Sequence, residues 1–153
     1  MNANQDGTAL AWKSASSADL KLLAAMNREL IEDEGSANPM TDAELEARMS
    51  GWLDSSEWTA LLLCMGDGDA AGYALYRRQD DGDVYLRQYL IRRPYRRAGF
   101  GLAGIALLRE RLGPACRLTI DVLAGNARGI AFWEKAGFAA YSVHMKSSVQ
   151  ATD

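Results

Sequence analysis

Histidine and cysteine are almost absent from this chain, which has a single His144 and only Cys64 and Cys116. One imidazole excludes a multi-histidine metal centre, and two isolated thiols make neither a disulfide framework nor a zinc site. Both cysteines read as small buried hydrophobes. No apolar run approaches the roughly 20 residues that cross a bilayer. The start, Met1 to Gly7, has neither a charged first segment nor an apolar stretch, so it does not read as a secretory signal, and the cytoplasm is the expected compartment. Positive charge is not in excess either. The 17 Lys and Arg are outnumbered by 20 Asp and Glu, for a net charge of −3, and such a field does not favour nucleic acid. A basic cluster from Arg87 to Arg97 therefore stands out. There is no repeat, linker or low-complexity segment. The 153 residues suffice for one core and no second domain, so a single domain over 1–153 is expected, with its core at about 8–146 and a frayed polar tail at 147–153.

What is present reads as alternating strands and helices. Thr8 to Trp12 is a short apolar strand. Ser16-Ser17-Ala18-Asp19 caps a helix whose Leu20, Leu22, Leu23, Met26, Leu30 and Ile31 follow a period near 3.6, and Gly35 stops it. Glu32-Asp33-Glu34 opposes the dipole at that helix end. It is either a solvated terminus or a negative patch for a cationic substrate. Thr41-Asp42-Ala43-Glu44 is a capping box that opens a second helix through Leu45, Met49, Trp52 and Leu53. Three strands follow as an antiparallel meander: Trp58 to Met65, Ala71 to Arg77, and Val84 to Ile91, with aspartate–glycine turns between them. Trp12, Trp52, Trp58 and Trp133 read as core, and Tyr85 and Tyr89 as cross-strand packing. Further on come a helix from about Leu102 to Gly113, a strand at Arg117 to Leu123, a short helix at Ala127 to Ala136 capped by Asn126, and a last strand at Phe138 to Met145. Strand, helix, strand in that order implies a parallel pair with a right-handed crossover.

The turn between the third meander strand and the next helix carries the chemistry. It runs Arg92-Arg93-Pro94-Tyr95-Arg96-Arg97-Ala98-Gly99-Phe100-Gly101-Leu102-Ala103-Gly104. Glycines let a ligand approach the backbone, and the unpaired N–H groups of the helix start attract phosphate or pyrophosphate. Gly99, Gly101 and Gly104 also spell a dinucleotide fingerprint, with Asp121 about 20 residues on. Context argues against it. Seven residues, Arg92 to Ala98, separate strand from glycine, and too little chain follows for the further βα units. Arg96, Gly99 and Gly101 as Arg-x-x-Gly-x-Gly fit the turn better. Arg92 and Arg93 are either its solvated rim or further phosphate contacts.

With Asn126-Ala127-Arg128-Gly129-Ile130-Ala131-Phe132-Trp133-Glu134-Lys135-Ala136-Gly137-Phe138 downstream, this order of elements resembles the GNAT superfamily of acyl-CoA-dependent N-acetyltransferases over nearly the whole chain. The resemblance implies an α/β (α+β) fold: one domain with a mixed, mostly antiparallel sheet, a splayed parallel pair of central strands, and helices on both faces. It implies acetyl-CoA as co-substrate, an amine acceptor, no metal, no nucleic acid and no membrane, and it leaves a homodimer open. In that reading, backbone groups of Arg97, Ala98, Gly99, Phe100, Gly101 and Leu102 hold the CoA pyrophosphate after Arg96. Leu90 and Ile91 pair with pantetheine and put an N–H on the thioester carbonyl. Asn126 contacts the pantetheine arm.

Two departures from the family pattern follow. The position of the tyrosine that protonates the leaving thiolate falls at Trp133, whose indole N–H is no usable acid at neutral pH. Tyr141 or a water is the substitute. The glutamate base of histone-type members falls at Tyr85. A primary ammonium with a pKa of about 10.4 needs a base, and the candidates are Glu34, ahead of Asp121 or a strand-bound water. The alternatives are a non-catalytic acyl-CoA-binding regulator and, behind it, a nicotinamide-dependent oxidoreductase on the three glycines.

Overall fold

The computed structural model describes residues 9–149, and what the sequence suggests for 1–8 and 150–153 lies outside the described residues. The elements are β1 (Ala11–Ser14), α1 (Leu20–Glu34), α2 (Asp42–Asp54), β2 (Trp58–Cys64), β3 (Ala70–Arg78), β4 (Val84–Ile91), α3 (Phe100–Leu112), β5 (Leu118–Thr119) and α4 (Ala127–Lys135). Local chemistry sets most of these boundaries. Thr41 and Glu44 exchange bonds in a capping box, the Glu44 amide donating to Thr41 Oγ1 at 3.2 Å and the Thr41 amide to Glu44 Oε1 at 3.1 Å. Gly35 closes α1 in the left-handed conformation. Asn126 caps α4, its Oδ1 accepting from the Gly129 amide at 3.0 Å.

The five strands lie in the order β1-β2-β3-β4-β5. The first three pairings are antiparallel and β4–β5 is parallel. Each face of the sheet buries its own core. On one face α1 and α2 cover Ala60, Leu62, Tyr73, Leu75 and Leu90 with Leu23, Met26, Leu30 and Met49. On the other α3 covers Leu61, Leu63, Ala74, Val84 and Leu86 with Ile105, Leu108 and Leu112. At roughly 1.5–3 kcal/mol for each large apolar side chain removed from water, these two layers dominate the folding free energy.

β4 contains a bulge. Tyr76 pairs with Leu86 and Leu75 with Gln88, so Arg87 has no partner across the ladder. The extra residue shifts the alternation. Val84 and Leu86 face α3 before the bulge, and Tyr89 and Ile91 face it afterwards.

Two expected strands differ from the sequence reading. Arg117 to Leu123 shrinks to Leu118–Thr119, because the parallel ladder with β4 stops after two residue pairs. Phe138 to Met145 forms no strand at all. Its apolar alternation is present, but Tyr141, Val143 and Met145 are exposed, and no backbone partner reaches them within the described residues. A strand needs an edge to pair with, and local sequence does not supply one.

Candidate active site

The site begins where β4 and β5 part. They pair only at Val84 with Leu118 and Tyr85 with Thr119. Beyond these pairs the strands diverge, and a cavity of about 450 Å³ occupies the gap. Its walls are the C-terminal end of α1 with Glu34, the distal half of β4, the turn into α3, Ile120 and Asp121 after β5, and Asn126, Phe132 and Trp133 of α4. The antiparallel register with β3 decides which backbone groups of β4 face the opening. The Arg92 amide donates to the Ala71 carbonyl at 2.8 Å, and Gly72 stands opposite Ile91. By alternation, Leu90 bonds toward β3, while the N–H groups of Tyr89 and Ile91 point to the cavity. Of the expected pair Leu90 and Ile91, Ile91 therefore turns its N–H to the opening together with Tyr89, while Leu90 contributes apolar lining.

At the far end of β4 the turn presents bare amides. Arg97 and Gly99 are both left-handed, at φ 66° and 78°. No side chain caps α3, and its first main-chain bond is the Ala103 amide to the Gly99 carbonyl at 3.1 Å. The N–H groups of Gly99, Phe100, Gly101 and Leu102 have no partner among the described residues and line the cavity from the positive end of the helix. The other two glycines have a packing role. A Cβ on Gly101 would meet the Phe132 ring at 2.8 Å, and one on Gly104 would run into the Tyr89 hydroxyl and Leu63. Close packing against aromatic side chains thus accounts for Gly104, the third glycine of the dinucleotide fingerprint.

Arg96 serves the turn as a brace. Its Nε donates to the Ile91 carbonyl at 2.8 Å, and Nη2 reaches Glu29 at 3.3 Å and pairs closely with Asp33. Arg93 holds the same helix end, with Nη2 at 3.1 Å from Glu32 and 3.2 Å from Asp33. Burial pushes the Asp33 carboxyl pKa up, but the hydrogen bonds from Arg96 and Arg93 outweigh it and leave the pKa below the ordinary range. Arg92 donates to the Ala70 carbonyl at 2.9 Å and stacks over Tyr95. So Glu32 and Asp33 are met by arginine rather than left as an open negative patch, and Arg93 is an exposed rim residue whose charge is engaged by these acids. Arg93 and Arg96 and these acids neutralise one another across α1 and the turn.

Glu34 is different. It lines the cavity half-buried, with no ion pair among the described residues. Burial and then the charge of Asp33 raise its carboxyl pKa. Asp121, also in the cavity wall, accepts from the Tyr85 hydroxyl at 2.8 Å. Tyr141 is 99% exposed and is not among the cavity's lining residues. Trp133 belongs to an aromatic group with Phe132, Phe138 and Tyr89, its ring 5.6 Å from that of Tyr89. The Tyr89 hydroxyl donates to the Gly101 carbonyl at 2.6 Å, and burial pushes its pKa up. The sequence reading also groups Arg87 with the turn arginines, whereas the structure sets it apart at the bulge, in the cavity wall. The visible signal is a charged residue interrupting an apolar strand.

Residues 23–138 match the acetyltransferase (GNAT) family. No curated protein matches the chain. Among solved structures, an aminoglycoside N-acetyltransferase in complex with CoA is 15% identical, with a TM-score of 0.73 over 96% of this chain and 99% of that one. A spermidine N-acetyltransferase from Vibrio cholerae, in complex with CoA and spermine, is 14% identical, with a TM-score of 0.69 over 87% and 82%. A mutant of a Bacillus halodurans protein is 16% identical, with a TM-score of 0.75 over 92% and 99%. Splayed parallel strands, a helix start left bare at the end of β4, and a match over most of the sequence converge on one conclusion: the chain belongs to the GNAT acetyltransferase family.

Proposed function

We propose that the protein transfers an acetyl group from acetyl-CoA directly to a primary amine. The observation that carries this is the convergence, in one cleft, of uncapped helix amides, cavity-facing amides of a split strand, and a half-buried carboxylate with a raised pKa. The pyrophosphate sits on the amides of Arg97 to Leu102, with Arg96 positioning that turn rather than touching phosphate. Pantetheine lies along β4, and the N–H of Tyr89 or Ile91 donates to the thioester carbonyl. Asn126 and Trp133 flank the arm; the Asn126 carbonyl oxygen is taken by Gly129, so its NH₂ is the group left to donate.

Glu34 removes a proton from the acceptor ammonium, and its raised pKa brings it nearer the working range of a base at neutral pH. The freed amine forms the C–N bond, the strand amide stabilises the oxyanion, and the C–S bond then breaks to release the CoA thiolate, which takes up through solvent the second proton that the nitrogen loses on becoming an amide. A thiolate is a tolerable leaving group without a dedicated acid, consistent with Trp133 at the family's tyrosine position. No enzyme nucleophile is required. Cys64 is buried and neither cysteine lines the cavity.

The test is calorimetric titration with acetyl-CoA, paired with thiol release in the presence of amines. Gly99→Asp is the informative variant. Aspartate tolerates the left-handed region, has open space there, and sets a carboxylate where the pyrophosphate belongs. Wild-type binding that disappears in the folded variant is the expected result. Wild-type protein that fails to bind acetyl-CoA overturns the reading. Binding without thiol release for any amine reduces the protein to an acyl-CoA-binding module.

A further inference from the structure

Three arginines from distant parts of the chain gather beside two tryptophans, and among the described residues none of them has a carboxylate partner. The Trp52 and Trp58 ring centroids are 5.9 Å apart. The Arg48 guanidinium lies 4.7 Å from the Trp52 centroid. That of Arg87 lies 5.2 Å from Trp52 and 5.8 Å from Trp58. That of Arg77 lies 5.2 Å from Trp58. Arginine and indole thus alternate in a ladder between α2, β2, the end of β3 and the first half of β4. Arg87, at the bulge, is the exposed member and the one that lines the cavity.

The ladder lacks hydrogen-bond acceptors. Among the described residues no Asp or Glu oxygen comes within 4.0 Å of these three guanidinium groups. The Nε atoms of Arg48 and Arg77 are buried with no partner, and Arg48 is held by one bond, from Nη2 to Asn27 Oδ1 at 3.1 Å. Indole faces attract cations but offer no lone pair in the guanidinium plane. The nearby acids are committed elsewhere or face the cavity: Asp121 holds Tyr85, and Glu34 lines the same pocket as Arg87. Burial and then the charge of Arg87 lower the pKa of Arg48, the expected response of cations packed without a counter-ion.

Position adds the second half of the argument. If the pyrophosphate occupies the α3 amides beyond Ile91, Arg87 stands at the opposite end of the cavity's β4 wall. That is the end left for the acceptor. We infer that the acceptor is an amino acid or a similar amine bearing a carboxylate, with the carboxylate held by the Arg87 fork at the Trp52–Trp58 ladder while the amine faces Glu34. This deepens the acetyl-transfer reading and rests on it. A planar guanidinium matches a carboxylate in two parallel bonds, and an anion here relieves the repulsion between Arg87 and Arg48.

The experiment compares matched acceptors in thiol-release assays with acetyl-CoA. L-phenylalanine, L-methionine and L-lysine are each set against their α-carboxamides, with phosphoethanolamine and spermidine as further arms. Calorimetry of the corresponding N-acetyl products, with CoA present, measures recognition without requiring turnover. An acid should surpass its amide by about tenfold to a hundredfold in KM or product Kd, the usual worth of a charged hydrogen bond. Arg87→Gln should abolish that preference, and Arg87→Lys should keep part of it, with unchanged circular dichroism in both. Amides that equal their acids, or a preference that survives Arg87→Gln, overturn the proposal. Phosphoethanolamine favoured over every acid, and dependent on Arg87, replaces carboxylate by phosphate and also overturns it. Efficient acetylation of spermidine without acid preference removes this inference and leaves acetyl transfer standing. Failure to bind acetyl-CoA removes acetyl transfer, while the product titrations still test the carboxylate site.

Discussion

The chain carries two arginine clusters, and they are in opposite electrostatic conditions. Arg93 and Arg96 meet Glu29, Glu32 and Asp33 within 3.6 Å. Arg48, Arg77 and Arg87 meet tryptophan faces and, among the described residues, no carboxylate. The first set uses its charge internally, fastening the end of α1 to the turn that precedes α3. The second leaves its charge available. Counting basic residues along a sequence does not separate these cases, because the deciding partners lie up to 67 residues away.

The largest expected effect tests the boundary between the clusters. Glu32 and Asp33 are paired with arginine while Glu34 is not, so Glu34→Gln should lower kcat by about 10² to 10⁴, the usual contribution of a general base. Binding of acetyl-CoA should be retained, and steady-state kinetics beside calorimetry make the check. In wild type the base must be deprotonated, so kcat/KM should fall as pH drops through a Glu34 pKa that lies above the ordinary carboxylate range.

Next comes a matched pair of substitutions read by urea denaturation. Arg96→Met removes the bond to the Ile91 carbonyl and leaves Glu29 and Asp33 without that partner, and it should cost about 2–3 kcal/mol. Arg87→Met removes an exposed, unpaired charge, and its stability should stay within about 0.5 kcal/mol of wild type. Equal losses in the two variants would erase the distinction between the clusters.

The smallest effect is in the pH dependence of stability, and the two neighbouring acids should act with opposite signs. The folded pKa of Asp33 is lowered, so its contribution is present above the ordinary aspartate value and is lost as pH falls through the lowered one. The folded pKa of Glu34 is raised, so ionising it costs stability as pH rises from the ordinary value through the raised one. Glu34→Gln should therefore raise the melting temperature slightly at pH 7, while Asp33→Asn lowers it. Thermal melts across pH 3 to 8 give both signs.

Most of the fold was legible because its signals are local. The Thr41–Glu44 capping box, the stop at Gly35, and the cap at Asn126 each act within a turn of helix. The bare amides of Gly99 to Leu102 were legible for the same reason, since glycines after a strand and before a helix restrict what the backbone can do. Pairing across the sheet was not. The alternation of Tyr141, Val143 and Met145 resembles a strand, yet those residues have no edge beside them, and Tyr141 stands away from the cavity. The core reading of Trp52 and Trp58 covers only part of their role, the part in which both pack against the α1–α2 core layer. Indole is apolar enough to pack on the core, and both half-buried rings also hold guanidinium groups, which local sequence does not show. Arg87 was counted with the turn arginines, because its separation from them depends on a bulge that is set by the pairing with β3.

That bulge acts on the strand as a change of parity. Odd and even positions exchange sides at Arg87, so one strand supplies even-numbered residues to the α3 layer first and odd-numbered residues afterwards. If Arg87 instead took a regular place in the ladder, opposite Leu75, the assignment of everything from Gln88 to Ile91 would reverse. Tyr89 would lose Gly101 and the aromatic group, and the amides that open on the cavity would turn to face β3. Point substitutions along β4 can tune this protein, whereas losing the bulge at unchanged length would re-address half the strand.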